Sequence, residues 1–170
     1  MIAAIVLAAG AAERFGFPKQ RILLARVVDS VRASSVDSIV VVTGAYDVET
    51  DARLVHCEDW RRGPGASLRC GLAALPSDAE AAVVVLADGP ELAPEAIDRV
   101  IESWRRGTGD VLAAGYGEVR GHPVLLGRSV WASVPDEGAR ALEPVLVPCD
   151  DLGAPGDVDY PEDLPAEFRT

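Results

Sequence analysis

The sequence predicts an α/β fold in which a mostly parallel, Rossmann-like sheet lies between two layers of helices. Three short runs, residues 2–7, 39–43 and 82–87, are apolar throughout, which is typical of strands that are buried on both faces. Segments between them carry apolar residues three or four positions apart, and this spacing predicts amphipathic helices. The alternation of strands with helices indicates a three-layer αβα sandwich, formed by residues 1–170 as one domain.

The same patterns place the remaining elements along the chain. Helices are expected around residues 24–31, 66–75 and 94–104, the last beginning at Pro94. Shorter strands are expected at 111–114, 124–126 and 145–147, with a glycine-bearing loop at 115–121 between the first two. Short helices are expected at 128–134, 137–142 and 161–168.

Composition excludes several classes of protein. The chain has 170 residues and a formal net charge of −11, which disfavours a nucleic-acid binder because phosphate backbones are bound by dense Lys and Arg. A nucleotide ligand is compatible with this net charge, since a few local cations, backbone N–H groups and a metal ion can hold it. The apolar runs are too short for a membrane span and residues 1–7 do not resemble a signal peptide. We therefore expect a cytoplasmic protein without a membrane partner.

The three cysteines give little indication of function. Cys57, Cys70 and Cys149 are odd in number and form no CxxC pair, so buried thiols are expected rather than a disulfide framework. A zinc site built on His56 and Cys57 lacks the usual ligand spacing and is disfavoured.

The loop after the first strand is the first candidate for a ligand site. Ligands of such sheets gather at the carboxyl ends of the strands, here after Leu7, Thr43, Ala87 and Val147. Residues 7–19 read LAAGAAERFGFPK; small residues allow close backbone approach to phosphate, and Arg14 and Lys19 add positive charge. The spacing fits neither a Walker loop nor a dinucleotide fingerprint. An ordinary strand-to-helix turn with surface cations would read the same way.

Several further segments, taken with this loop, resemble the MobA-like nucleotidyltransferases. The family pattern begins with LAAG or LAGG, followed by R-[FM]-G and Lys. The other matching segments, in chain order, are VTG (42–44), WRRG with SLRCGL (60–63, 67–72), LADGP (86–90), GHPV (121–124), DEGAR (136–140) and DVDYPEDL (157–164). Each segment alone is a weak signal, whereas seven in the right order are a strong one.

The resemblance is closest to the molybdenum cofactor cytidylyltransferases, with the guanylyl branch second. It implies Mg²⁺-dependent transfer of a nucleoside monophosphate from CTP or GTP to a phosphorylated small-molecule acceptor such as molybdopterin, with release of pyrophosphate. It also implies a molybdoenzyme or maturation partner. Relatives on this fold act on other acceptors, so a sugar-phosphate nucleotidyltransferase is an alternative.

The resemblance also implies roles for individual residues. Arg14, Lys19 and Asp88 match the catalytic positions, and Asp88 and Asp159 match the two metal-holding positions. The implied nucleotide-binding residues are Leu7, Ala8, Ala9, Gly10, Lys19, Thr43, Ser67 and Asp88. The implied acceptor-binding residues are Gly121, His122 and Arg140.

Structural explanations exist for most of these residues. Asp88 could be a turn former before Pro90, Ser67 a helix cap, His122 a structural hydrogen-bond donor and Arg140 a surface charge. Asp157 and Asp159 are two residues apart, so both would face the same way in an extended segment. Asp159 is the better match.

The chain departs from the family pattern at the edges of the expected site. Residues 20–25 follow Lys19 without a glycine turn, residues 44–54 leave little room for a full helix, and Glu91 and Cys57-Glu58 replace the usual residues. These departures favour an alternative of a different class, a nucleotide-binding or chaperone-like protein that has lost turnover. The departures bear on the identity of the acceptor more than on the binding of the nucleotide.

Overall fold

The computed structural model of the chain describes residues 1–11 and 20–169. The strands are β1 (Ile2–Ala8), β2 (Ser38–Thr43), β3 (Arg53–His56), β4 (Ala81–Leu86), β5 (Val111–Tyr116), β6 (Val119–Gly127) and β7 (Val145–Pro148). The α-helices are α1 (Gln20–Arg32), α2 (Pro64–Ala74) and α3 (Pro94–Arg105). Short 3₁₀ segments cover Trp60–Arg62, Arg128–Ser133, Ala139–Ala141, Asp150–Leu152, Pro161–Asp163 and Ala166–Phe168.

The seven strands form one sheet in the order β3-β2-β1-β4-β6-β5-β7. β1 pairs in parallel with both β2 and β4, whereas β6 runs antiparallel to β4 and β5. All strands except β6 therefore point the same way. In chain order, β2 and β3 are added on one side of β1, and β4 then pairs with the other side of β1. Strand order thus reverses between β1 and β4, which is where such sheets bind ligands.

Helices cover both faces of the sheet, which confirms the predicted α/β sandwich. On one face, Val27 of α1 and Ile97 of α3 are fully buried against β1 and β4. On the other face, Leu68 and Leu72 of α2 pack against Ile5 and its neighbours. Burying a side chain such as Ile97 contributes about 2 kcal/mol. Within the described residues, no helix is both long enough and apolar enough to cross a membrane.

Some of the predicted elements differ from the structure. Strand β3 was not predicted, because residues 53–56 lie at an exposed sheet edge and show no apolar pattern. The expected loop at 115–121 is instead a hairpin, since β5 extends to Tyr116 and β6 begins at Val119. The expected helices at 128–134, 137–142 and 161–168 are short 3₁₀ segments, because none of these stretches carries a long enough apolar stripe to support an α-helix.

The expectation of three buried thiols was wrong for two of the cysteines. Cys57, which follows β3, forms a disulfide with Cys70 of α2, and their Cα atoms are 5.9 Å apart. Cys149 is a buried free thiol. The pairing depends on β3 returning alongside α2, which spacing in the sequence does not reveal.

Candidate functional site

Two cavities open at the carboxyl edge of the sheet. The smaller, of about 340 Å³, lies where β1 and β4 meet the start of α2. Its wall comprises Leu7, Ala9, Gly10, Trp60, Arg61, Gly63, Pro64, Ser67, Leu86, Ala87 and Asp88. The structure therefore brings together five of the predicted nucleotide-site residues, from three separate segments of the chain.

The larger cavity, of about 530 Å³, lies between β4, the β5–β6 hairpin and the coil after residue 153. Its wall comprises Val85, Leu86, Gly89, Leu92, Tyr116, Val119, Arg120, Gly121, His122, Ala154, Pro155, Gly156 and Asp157. Two of the predicted acceptor-site residues, Gly121 and His122, lie here. Leu86 belongs to both walls, so the two cavities meet at the end of β4.

Asp88 lies at this junction. It follows β4 and lines the smaller cavity, while Gly89 lines the larger one. The backbone of the turn is tied to the C-terminal coil, because Val158 N–H donates to Asp88 O at 3.2 Å and Glu91 N–H donates to Pro155 O at 3.0 Å. These bonds bring the segment that carries Asp157 and Asp159 alongside Asp88.

The donor set at the junction fits a divalent cation. Asp88 and Asp157 place carboxylates in the walls of the two adjoining cavities. Among the described residues, no group of three or more His, Cys, Asp or Glu side chains comes together. Magnesium needs only one or two carboxylates, since water and substrate phosphates complete its six ligands. Asp159 is partly buried two residues beyond Asp157 and is not in either wall.

The start of α2 is fixed by Asp136. The carboxylate of Asp136 accepts hydrogen bonds from Arg69 and, at 3.4 Å, from Arg62, while its backbone oxygen accepts from Gly65 N–H at 2.9 Å. The bond from Arg69 is the main cause of the lowered pKa of Asp136. A Cβ at Gly65 would lie 1.7 Å from Pro135 O, so only glycine allows this contact. The DEGAR segment therefore braces the smaller cavity from outside.

Trp60 lines the smaller cavity and packs against the turn after β2. A Cβ on Gly44 would lie 2.6 Å from Trp60 Cβ and 2.9 Å from Ala9 O. Trp60 therefore packs directly on the turn after β2, next to the loop after β1. The disulfide at Cys57 fastens the same segment to α2.

Three polar side chains in the wall of the larger cavity, those of Tyr116, Arg120 and His122, are either uncharged at pH 7 or hydrogen-bonded to the backbone. Burial lowers the pKa of His122 to about 4, although the Asp88 carboxylate opposes this shift, so the imidazole is neutral at pH 7. Tyr116 OH donates to His122 O at 2.7 Å, and burial raises the pKa of Tyr116 to about 12. The Arg120 guanidinium donates to three backbone oxygens, those of Ala139, Arg140 and Leu142.

The other predicted residues lie outside the two walls. Ala8 and Thr43 are buried at the ends of β1 and β2, and Thr43 Oγ1 lies 3.5 Å from His56 Nδ1. The Arg140 side chain is exposed. Arg14 and Lys19 lie outside the described residues. The sequence does not single out Tyr116 or Arg120 as wall residues. Trp60 and Arg61 lie within the WRRG segment of the family pattern, which gives them no individual role.

A glycine-bearing loop and a carboxylate line one cavity at the reversal point of the sheet, the place where α/β proteins of this type bind nucleotides and other ligands. The sequence model of the MobA-like NTP transferase domain matches residues 4–146. The chain belongs to this family and is a nucleotidyltransferase by family.

Solved structures of similar fold cover nearly the whole chain. Rv0371c from Mycobacterium tuberculosis H37Rv is 26% identical, with a TM-score of 0.78 over 95% of this chain and 94% of that one. Its homologue from Mycobacterium sp. strain JC1 is 25% identical, with a TM-score of 0.80 over 95% and 92%. A structure of Rv0371c in complex with manganese is 24% identical, with a TM-score of 0.73 over 95% of both chains. No curated protein gives a significant sequence match.

Proposed function

We propose that this chain, acting as a single domain, transfers a nucleoside monophosphate from a nucleoside triphosphate to a phosphorylated small molecule. CTP is the favoured donor and GTP the second, and pyrophosphate is released. Molybdopterin is the favoured acceptor. The observation that carries the proposal is the meeting of the two cavities at Leu86, beside Asp88. The reaction brings two phosphate-bearing substrates together, and two adjoining cavities would hold them next to each other.

The smaller cavity is proposed to hold the nucleotide. Backbone N–H groups of Ala8, Ala9 and Gly10 would face the phosphates, and the first turn of α2 adds a favourable dipole. Lys19 and Arg14 remain predicted to neutralise the leaving pyrophosphate. We expect Lys19→Ala to slow turnover by at least about 100-fold, with little change in stability. Turnover near that of the wild type would remove Lys19 from the mechanism.

The larger cavity is proposed to hold the acceptor. Its phosphate would point toward Asp88, and its body would contact Tyr116, Val119 and the Gly121–His122 backbone. Neutral His122 can donate or accept one hydrogen bond without adding charge. No covalent enzyme intermediate is required, because the acceptor phosphate attacks the α-phosphorus directly. The chain then contributes positioning and charge compensation.

Asp88 is proposed to hold a divalent cation together with Asp159 or Asp157. Magnesium is the favoured ion, and the manganese in the Rv0371c structure supports a divalent site of this type. When bound, such an ion screens the repulsion between the two phosphates and stabilises the charge that develops on the leaving group. Asp88 would anchor it at the boundary between the cavities. Asp157 competes with Asp159 as second ligand because it lines the larger cavity.

Pyrophosphate release tests the proposal. The four nucleoside triphosphates would be offered separately, with Mg²⁺, with Mn²⁺ and with EDTA, in the presence of molybdopterin or a panel of sugar phosphates. We expect metal-dependent release that is largest with CTP and molybdopterin. Release with a sugar phosphate would point to the sugar-phosphate alternative. Tight triphosphate binding without release under any condition would favour the binding or chaperone-like alternative. A cytoplasmic location is also proposed, on the short apolar runs and the composition of residues 1–7, and a molybdoenzyme or maturation partner is proposed from the favoured acceptor.

A further inference from the structure

Arg61 stands out in the wall of the smaller cavity. It is exposed and lies beside Ser67 and Asp88 in that wall. Within the described part of the wall, Arg61 is the one cation and Asp88 the one anion. The chain as a whole carries a net charge of −11. A triphosphate with about four negative charges therefore meets positive charge on this side at Arg61 alone among the described residues.

The position of Arg61 is fixed by its neighbours. Its guanidinium carbon lies 4.5 Å from the centre of the Trp60 ring, a stacked cation–π arrangement. The 3₁₀ turn that carries it is closed by Arg62 N–H to Asp59 O at 2.9 Å and Gly63 N–H to Trp60 O at 3.2 Å. Trp60 itself packs over Gly44. Stacking leaves the donors around the edge of the guanidinium available to an anion.

Arg62 provides a contrast one residue away. It is also exposed, but it forms an ion pair with Asp136 at 3.4 Å and is absent from both cavity walls. Among the described residues, Arg61 forms no ion pair with a carboxylate. One arginine of the pair is therefore part of the brace under α2, and the other faces the cavity.

We propose that Arg61 is a nucleotide-binding residue that contacts the triphosphate, with its guanidinium positioned over the Trp60 ring. This inference rests on the proposed nucleotide role of the smaller cavity. Arginine suits the role because its planar fork can donate two parallel hydrogen bonds to phosphate oxygens. The WRRG segment thereby supplies a cation to the wall of the smaller cavity.

Equilibrium binding of CTP and of cytidine, without acceptor, tests this assignment. We expect Arg61→Ala to raise the Kd for CTP about tenfold, the loss of one charge-assisted contact, and to leave the Kd for cytidine unchanged. Arg61→Lys should recover part of the CTP affinity, because the charge remains while the planar fork is lost. The CTP affinity of Arg61→Ala should also depend less steeply on salt concentration.

Arg105→Ala, at the exposed end of α3 and outside both cavity walls, is the control and should bind CTP as the wild type does. Equal weakening of CTP and cytidine by Arg61→Ala would overturn the phosphate contact and place Arg61 at the base. Unchanged CTP affinity would overturn the assignment altogether, as would a wild type that binds no triphosphate. Triphosphate binding by the wild type without pyrophosphate release would contradict the proposed reaction but leave the Arg61 assignment intact. Thermal unfolding of both variants shows that each retains the fold.

Discussion

The two cavities share a sheet edge but are built in different ways. The walls of the smaller one come from turns that directly follow β1 and β4 and from the segment that leads into α2. The Cys57–Cys70 disulfide and the Arg69–Asp136 ion pair fasten that segment from outside. The wall is therefore held by a covalent bond and by charge, neither of which depends on a ligand.

The larger cavity is assembled from segments that are distant in sequence. A hairpin supplies one side and the coil at 154–157 supplies the other, and the coil is joined to the Asp88 turn through two backbone hydrogen bonds. Apolar side chains dominate its wall, and its histidine is neutral. The comparison therefore contrasts a cavity fastened by a disulfide and an ion pair with one whose walls are joined through backbone hydrogen bonds.

The largest expected effect is at the junction between the cavities. Asp88→Asn keeps the shape of the side chain but removes its charge, so we expect turnover to fall by about 100- to 1,000-fold at saturating Mg²⁺. Pyrophosphate release measured over a range of Mg²⁺ concentrations checks this. Asp78→Asn, on an exposed loop, is the control. Turnover of Asp88→Asn within about threefold of the control would separate Asp88 from the chemistry.

The next effect concerns the fastening of the smaller cavity. Cys57 and Cys70 are 13 residues apart, and a cross-link over such a loop stabilises a protein by about 3 kcal/mol. We expect the double variant Cys57→Ser, Cys70→Ser to lose about that much in urea unfolding. The oxidised wild type should lose a similar amount on reduction. If reduction left the free energy of unfolding of the wild type unchanged, the disulfide would not stabilise the wall of the smaller cavity.

A smaller effect is expected from His122 as the pH falls. Its pKa in the fold is about 4, below the ordinary value of 6.5, so the unfolded chain takes up a proton between those values while the fold does not. The free energy of unfolding therefore falls as pH drops from about 6.5 to about 4, and is unaffected by this group above that range.

Urea unfolding at about pH 7 and about pH 4.5, in EDTA, measures this contribution. We expect His122→Asn to lose about 2 kcal/mol less than the wild type between the two conditions. The carboxylates titrate in both proteins, so the difference between the proteins isolates the histidine. Parallel pH profiles would mean that His122 is better solvated than its position in the larger cavity indicates.

The smallest effect is expected at Arg140. The resemblance predicts an acceptor contact, whereas the side chain is exposed and lies outside both walls. We expect Arg140→Ala to change kcat/KM by less than about twofold, as exposed substitutions usually do. Steady-state kinetics with the acceptor varied checks this. A loss of tenfold or more would extend the acceptor site beyond the larger cavity.

The sequence predicts the parts of this molecule that depend on local patterns. The buried strands β1, β2 and β4 read as apolar runs because helices cover both of their faces. Asp88, which lines the smaller cavity, could be singled out from the sequence because an acid directly after such a run is costly unless something compensates its charge.

The parts that depend on distant segments could not be predicted in the same way. Strand β3 is an exposed four-residue edge, and the disulfide requires a return of the chain that no spacing encodes. The wall of the larger cavity combines residues from 85 to 157. Nothing in a motif such as GHPV indicates that Arg120 is engaged by three backbone oxygens, or that His122 is neutral.

Two backbone hydrogen bonds join the C-terminal coil to the Asp88 turn, from Glu91 N–H to Pro155 O and from Val158 N–H to Asp88 O. They bear on where the protein can be truncated. The family match ends at residue 146, yet the coil at 154–157 lines the larger cavity, and its backbone bonds hold Asp157 and Asp159 alongside the Asp88 turn. A recombinant fragment ending at residue 146 would contain the region matched by the family and lose four of the thirteen residues that line the larger cavity.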